Sequence, residues 1–402
     1  MAWTFILRQR EMDAFLACRT AWDFGATVRR NLVPIAPPQI FDFEKAVREA
    51  LAVYYFPAMD EWNRAIVRPL AMQGFVRSMQ QDRQLYEKSA VVTPTQEEDW
   101  DRHLALGQAL LERYFTWTLT VDEFDSVFSE EELWAPVPDP ANPGKGMVAA
   151  DGRTIRYWGR IDQLISDPQD EYWIVENRLV QGGWTNPFHF LVDSTALTHA
   201  WAFEYAYPHI KVAGTVYNEL RTDAPDLLTG SPGPETDGPV VERDPRTMQG
   251  VRRVFIRRNY TSEADDAGDE PSGETRVVKQ ENDRRSMFRR TYVRRSRASI
   301  CRAGLDLGRR TVQIQDPDVR IYQNPRPENC SRCLYRRPCI VGQSGDEDLE
   351  AVLAAEYRTR TEAEFEEERL RWSAARKGTR ASLGGVRTEW RPPRPDVLGP
   401  LG

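Results

Sequence analysis

The pattern of apolar and polar positions changes character along this 402-residue chain. Early segments carry a period near 3.6. In residues 41–56 apolar side chains recur at Phe43, Val47, Leu51 and Tyr54, the spacing of one helix face. Helices are likewise expected over residues 8–24, 60–80 and 96–119, the last capped by Thr95. From residue 153 the pattern becomes that of strands. RTIRYWGRIDQLISD (153–167) and EYWIVENRLV (171–180) are rich in Ile, Val, Tyr and Trp and flank the turn DPQD. A helix is expected at 192–208, strands at 211–222 and 250–260, and a long basic helix at 286–310. Pro/Gly-rich residues 136–151 read as a loop, and 223–247 and 261–282 as mobile stretches. Residues 345–378 read as a charged helix, and the chain from Thr379 as a disordered tail.

This order of elements predicts a mixed α/β fold, with a central sheet of about four or five strands wrapped by helices. It divides into an N-terminal helical region (1–135), a core ending in a cysteine cluster (136–342), and a charged helix with its tail (343–402). Composition is that of a soluble globular protein: 41% apolar, 10% aromatic and 29% charged. There is no stretch of 18 apolar residues, so no membrane partner is expected. The N-terminal residues lack the pattern of a secretory signal, and five cysteines without framework spacing favour reduced or metal-bound thiols, so the expected location is the cytoplasm. Net charge is −7, yet residues 284–310 hold ten arginines: Arg284, Arg285, Arg289, Arg290, Arg294, Arg295, Arg297, Arg302, Arg309 and Arg310. RRVFIRR (252–258) adds four more. Such a run reads either as a phosphate-binding surface or as a solvated helix face balanced by acids.

Two constellations carry candidate chemistry. Cys18 stands alone near the N-terminus, while Cys330, Cys333 and Cys339 form a C-x2-C-x5-C run. Four thiolates can complete an iron–sulfur or zinc shell, which here would tie the two ends of the domain together. Cys301 is left over and reads as a small buried residue. The second constellation is Asp162, in GRID, and Glu176, in IVENR. Adjacent strands can bring these acids together, with Arg178 on the same side as Glu176 because side chains alternate. Two acids suit Mg²⁺ or Mn²⁺, which polarises a scissile phosphate and activates water. The alternative is a structural ion pair with Arg178 or Arg48. Trp158, Trp173 and Trp201 read as core.

These residues, in this order, resemble the PD-(D/E)XK nuclease superfamily. The likeness is to its RecB-like branch with a four-Cys iron–sulfur cluster, which includes the AddB nuclease domain and CRISPR-associated exonucleases. The resemblance spans about residues 8–342 and rests on Cys18, GRID, Glu176, YQNPRPENCSRC and Cys339. It implies a restriction-endonuclease-like core, a 4Fe–4S cluster on Cys18, Cys330, Cys333 and Cys339 (zinc being the alternative), and Mg²⁺ or Mn²⁺ on Asp162 and Glu176. It also implies DNA as partner, single-stranded or at duplex ends, and a helicase or other motor protein. The family's helical His falls on Arg48, beside Glu49. Its Lys falls on Arg178. Its Gln-x-x-x-Tyr helix falls on STALTHAWAF, with Thr195 and His199 at the two marked positions. Arginine stays protonated and is a poor base. The implied activity is therefore a metal-dependent deoxyribonuclease, weakened or abolished, with Asp162, Glu176, Arg178 and His199 as candidate catalytic residues. The alternative is an inactive nucleic-acid-binding scaffold on the same fold.

Overall fold

The computed structural model describes residues 4–36, 39–59, 62–223, 276–282, 287–331, 333–361 and 363–364. The strand expected at 250–260, Arg284, Arg285 and the tail from Thr379 lie outside these residues.

The described chain forms a mixed central sheet flanked by helices. Its strands are β1 (Thr4–Arg8), β3 (Asp125–Pro136), β6 (Thr154–Ser166), β7 (Tyr172–Val180), β8 (Val212–Arg221), β9 (Arg276–Asn282) and β10 (Phe288–Arg294). They run in the order β1-β6-β7-β8-β10-β9, with β3 on the remaining edge of β6. The β1/β6 and β7/β8 pairs are parallel; the others are antiparallel. Two small antiparallel sheets pair β2 (Leu32–Pro34) with β11 (Tyr357–Thr359) and β4 (Pro138–Asp139) with β5 (Asn142–Gly146). The helices are α1 (Gln9–Ala17), α2 (Arg19–Gly25), α3 (Phe43–Tyr54), α4 (Arg64–Glu87), α5 (Pro94–Val121), α6 (Pro187–Leu191), α7 (Ser194–Ala206), α8 (Arg297–Gln315), α9 (Pro327–Cys330), α10 (Arg336–Ser344) and α11 (Leu349–Glu356).

Local sequence explains most of these boundaries. Along β6 the inward Ile155, Tyr157, Gly159 and Ile161 alternate with half-buried neighbours, the period of a strand on a core. Asp42 caps α3 by accepting the Lys45 N–H, and Ala46, Val47, Ala50, Leu51 and Tyr54 bury its apolar stripe. Helix α5 begins at Thr93 rather than the expected Thr95. Thr93 and Gln96 close a reciprocal capping box, and Pro94 occupies the first turn, where its missing N–H costs nothing.

Two cores result. One joins the sheet residues Leu133, Tyr157, Ile161, Leu164 and Ile174 to Phe203 of α7 and Leu307 of α8. The other gathers α3, α4 and α5 around Phe75, Leu111 and Tyr114, and meets the sheet at Leu220 and Phe288. Burial of each large side chain contributes about 1.5–3 kcal/mol.

Several expectations need correction. The single helix over residues 8–24 breaks at Cys18, whose extended backbone (φ −157°, ψ 113°) ends α1 and precedes α2. Residues 136–151 hold the β4/β5 pair. Residues 276–282 are strand β9, and residues 349–359 form only the short α11 and then β11. The largest change concerns the basic run. It is not one helix: residues 288–294 are the sheet strand β10, and α8 starts after the Ser296 cap, which accepts the Ser299 N–H. Arg289, Arg290 and Arg295 are buried, so they cannot line a solvent-facing phosphate surface. Arg289 pairs with Glu219, Arg290 with Asp122 and Arg294 with Glu171, while Arg295 donates to the Phe190 and Leu191 carbonyls. On α8, Arg297 pairs with Glu204 and Arg309 with Asp306. Cys301, expected to be buried, is exposed.

Candidate functional site

The β6 strand has one edge shared by two neighbours. β1 pairs with Thr154–Trp158 and β7 with Gln163–Ser166, while β3 occupies the opposite edge. Between them, Gly159–Asp162 has no ladder partner on that edge among the described residues. This is a notch in the sheet. Continuing the Gln163↔Val175 register by one residue sets Asp162 opposite Glu176, at the point where the two strands part. The Asp162 carboxylate takes over the lost ladder bond: its Oδ2 accepts the Asn177 N–H at 2.7 Å.

Each candidate side chain has a defined place around this notch. His199 of α7 lies behind Glu176, its Nδ1–H donating to Oε1 at 2.7 Å. The ring is 5% exposed and its Nε2 has no hydrogen-bond partner. Burial opposes the imidazolium, but Glu176 overrides it and raises the His199 pKa, with Asp162 and Asp13 adding to the effect. Arg178 points to the other member of the same helix: it is paired with Asp193, the α7 cap, and lies 4.7 Å over the Tyr217 ring. That pairing overcomes the effect of burial and lowers the Asp193 pKa. Thr195 donates to Asp13 and accepts from Gln9, at the exit of β1. Asp13 itself is pushed up by burial.

Arg48 of α3 closes the front. Its Nη2 donates to Glu44 at 2.5 Å, and its Nε lies 4.0 Å from Asp162 Oδ2 with no hydrogen-bond partner. Burial disfavours the guanidinium charge, yet Asp162, Glu44, Glu176 and Glu130 more than offset this. A cavity of about 210 Å³ opens here, lined by Asp42, Glu44, Lys45, Arg48 and Arg160. Burial raises the pKa of Glu49, beside Arg48.

Glu130 was not foreseen from sequence. The β3 register (Ser129↔Gln163, Glu131↔Ile161) sets it across from Asp162. Its φ of 56° is left-handed, a strained value for a residue with a side chain. It pairs with Arg160 at 2.5 Å. Burial first, then Asp162, push its pKa up to about 7 against the pull of Arg160 and Arg48. Only a backbone angle distinguishes it, which composition and periodicity do not report.

The cysteine region lies where α1, α2 and Leu32 meet residues 322–357. All five cysteines are free thiols. Asn324 and Asn329 both donate to the Ala17 carbonyl beside Cys18, and Thr20 N–H donates to Tyr322 O. Tyr335 donates to Leu32 O and packs with Phe24, Leu353 and Tyr357. Burial raises the thiol pKa values of Cys333 and Cys339, and both sense Cys18 and Cys330 as electrostatic neighbours. These four thiols are the donors that a thiolate-bound metal centre would use. As placed, no group of three or more His, Cys, Asp or Glu among the described residues forms a metal-holding arrangement, here or at the notch. Among the described residues no helix is long and apolar enough to cross a membrane.

No family model and no curated protein matches the chain. Among solved structures, one titled "Crystal structure of SSO0001" aligns over 73% of this chain and 91% of that one, at 10% identity and a TM-score of 0.24. A likeness that loose carries no argument about fold family or activity.

Proposed function

We propose that this chain is a RecB-like PD-(D/E)XK nuclease-family protein acting on DNA, with phosphodiester hydrolysis weakened by the ion pairs around its acids. The observation that carries this reading is the notch, which opens the sheet at Asp162 and Glu176. Asp162 and Glu176 would hold Mg²⁺ or Mn²⁺, which when bound would polarise a scissile phosphate and lower the pKa of a water. The chain's own residues do the rest. Lys45, Arg48 and Arg160 line a cavity beside Asp162 that can receive a phosphate of the substrate backbone. The Asn177 N–H fixes the Asp162 carboxylate, and His199 fixes Glu176. Arg178 is committed to Asp193, so it positions the start of α7 rather than serving as a base. Cys18, Cys330, Cys333 and Cys339 would hold a 4Fe–4S cluster, or zinc, which would join the two ends of the chain.

Cleavage of end-labelled single-stranded and duplex DNA with Mn²⁺, by wild type and Asp162→Asn, tests the reading. Loss of cleavage in the variant supports it; equal cleavage by both discards it.

A second reading has its own support. Arg48, Arg178 and His199 all place donors or positive charge around the acids. On that basis the fold is kept for binding alone. It predicts DNA affinity that falls with salt and no cleavage in Mg²⁺ or Mn²⁺.

A further inference from the structure

We propose that Arg48 is the resident counter-ion of the notch, its guanidinium standing among Asp162, Glu176, Glu130 and Glu44 where a divalent cation would otherwise balance those acids. The inference rests on the reading that Asp162 and Glu176 form an oxygen site for a metal.

The argument begins with charge. Four carboxylates come from four separate elements: Glu44 from α3, Glu130 from β3, Asp162 from β6 and Glu176 from β7. All four act on Arg48. Such a group of like charges is costly in a part-buried site unless a cation lies within it. Three other cations are near, and each is engaged at the margin: Arg160 on Glu130, His199 on Glu176 and Arg178 on Asp193. Arg48 reaches toward Asp162 through an Nε that makes no hydrogen bond. A separation of 4.0 Å without a bond is the geometry of a charge balanced through space. A second observation concerns a neighbour of these acids. The His199 ring is buried beside Glu176 and Asp162, and its Nε2 has no partner. A buried polar atom without a partner is unusual in a site that is complete as it stands.

The consequence is competition. Arg48 and a divalent ion would balance the same negative charge, so the arginine lowers metal affinity while it stabilises the metal-free fold. It is a positioning and specificity residue for the site. Because its side chain is about one-third exposed, it can be exchanged without opening the core.

Three variants of the full chain test this: Arg48→Lys, Arg48→Met and, as the gentler neutral change, Arg48→Gln. The probe is Mn²⁺, followed by the electron paramagnetic resonance signal of the free ion and by thermal unfolding. The neutral variants are expected to melt below wild type without metal, and to bind Mn²⁺ at least ~tenfold more tightly. Mn²⁺ should restore much of their lost melting temperature. Arg48→Lys should resemble wild type on both counts. Adding Asp162→Asn to Arg48→Gln should abolish the gained binding. Equal Mn²⁺ affinity in wild type and the neutral variants overturns the counter-ion inference but leaves the metal reading intact. If no variant binds Mn²⁺, the metal reading fails, and the competition with it. Neutral variants that melt with Arg48→Lys and wild type overturn the inference outright.

Discussion

Replacing Arg289 with methionine should destabilise the fold severely and leave any nucleic-acid affinity unchanged. Arg289 and Glu219 face each other in the β10/β8 register, 4% and 0% exposed. Arg289 Nε donates to Glu219 Oε2 at 2.7 Å, its Nη2 donates to the same oxygen, and Nη2 also donates to Thr185 O at 2.6 Å. After Arg289→Met, Glu219 keeps one donor, the Thr185 N–H at 3.1 Å, and remains enclosed. Removing one partner of a buried ion pair costs about 3–5 kcal/mol, because the stranded charge stays out of water. Removing both is far cheaper: Arg289→Met with Glu219→Met should cost about 0–2 kcal/mol, since apolar chains of similar length refill the site. The double-mutant cycle should therefore show a coupling of several kcal/mol, read by urea unfolding at neutral pH. A single-variant cost below about 1 kcal/mol, or additive effects in the cycle, refutes the reasoning. Unchanged stability with lost DNA binding would return Arg289 to a phosphate-contacting role.

Three further outcomes are expected. Gly107→Ala builds a Cβ 2.0 Å from Phe75 Cζ where α4 meets α5 and should cost about 1–3 kcal/mol in urea unfolding, with Phe75→Leu restoring part of it. Glu130 binds its proton up to about pH 7 when folded but only to its ordinary value when unfolded. The stability it contributes is therefore complete below about pH 4.5 and lost as pH rises through about 7. Glu130→Gln should flatten that part of the stability profile by up to about 3 kcal/mol, and an unchanged slope counts against the assignment. Anaerobically purified protein should carry about four iron atoms per chain and absorb broadly near ~400 nm. Cys18→Ser should lower both the iron content and the melting temperature, whereas a colourless zinc protein would exclude the cluster.

The sequence revealed the parts of the fold that periodicity and turn chemistry encode. The β6/β7 strands around DPQD, the stripe of α3 and the α7 helix all follow local pattern. Asp162 and Glu176 were legible because a charged residue inside a strand-like run stands out. The basic run was misread for two reasons. Arginine is a good helix former, and charged residues are usually exposed. The acids and carbonyls that let Arg289 and Arg290 go inside lie 70 to 168 residues away, so no window of local sequence contains them. Phe288, Tyr292 and Val293 carried the strand signal, and the arginines masked it. Strand β1 is five residues long and pairs only with residues about 150 positions later. Glu130 could not be read at all, since its distinction is a backbone angle imposed by the sheet around it.

The pairing of Leu32–Pro34 with Tyr357–Thr359 has a consequence for synthesis. A ribosome delivers the first partner some 320 residues before the second, and β1 also waits for β6. During that interval the nascent N-terminus has edges but no mates, so it depends on dilution or a chaperone to avoid pairing with another copy. Late closure of so long a loop also makes maturation slow. A ribosome stalled before residue 357 would leave a product whose leading end is still open to aggregation.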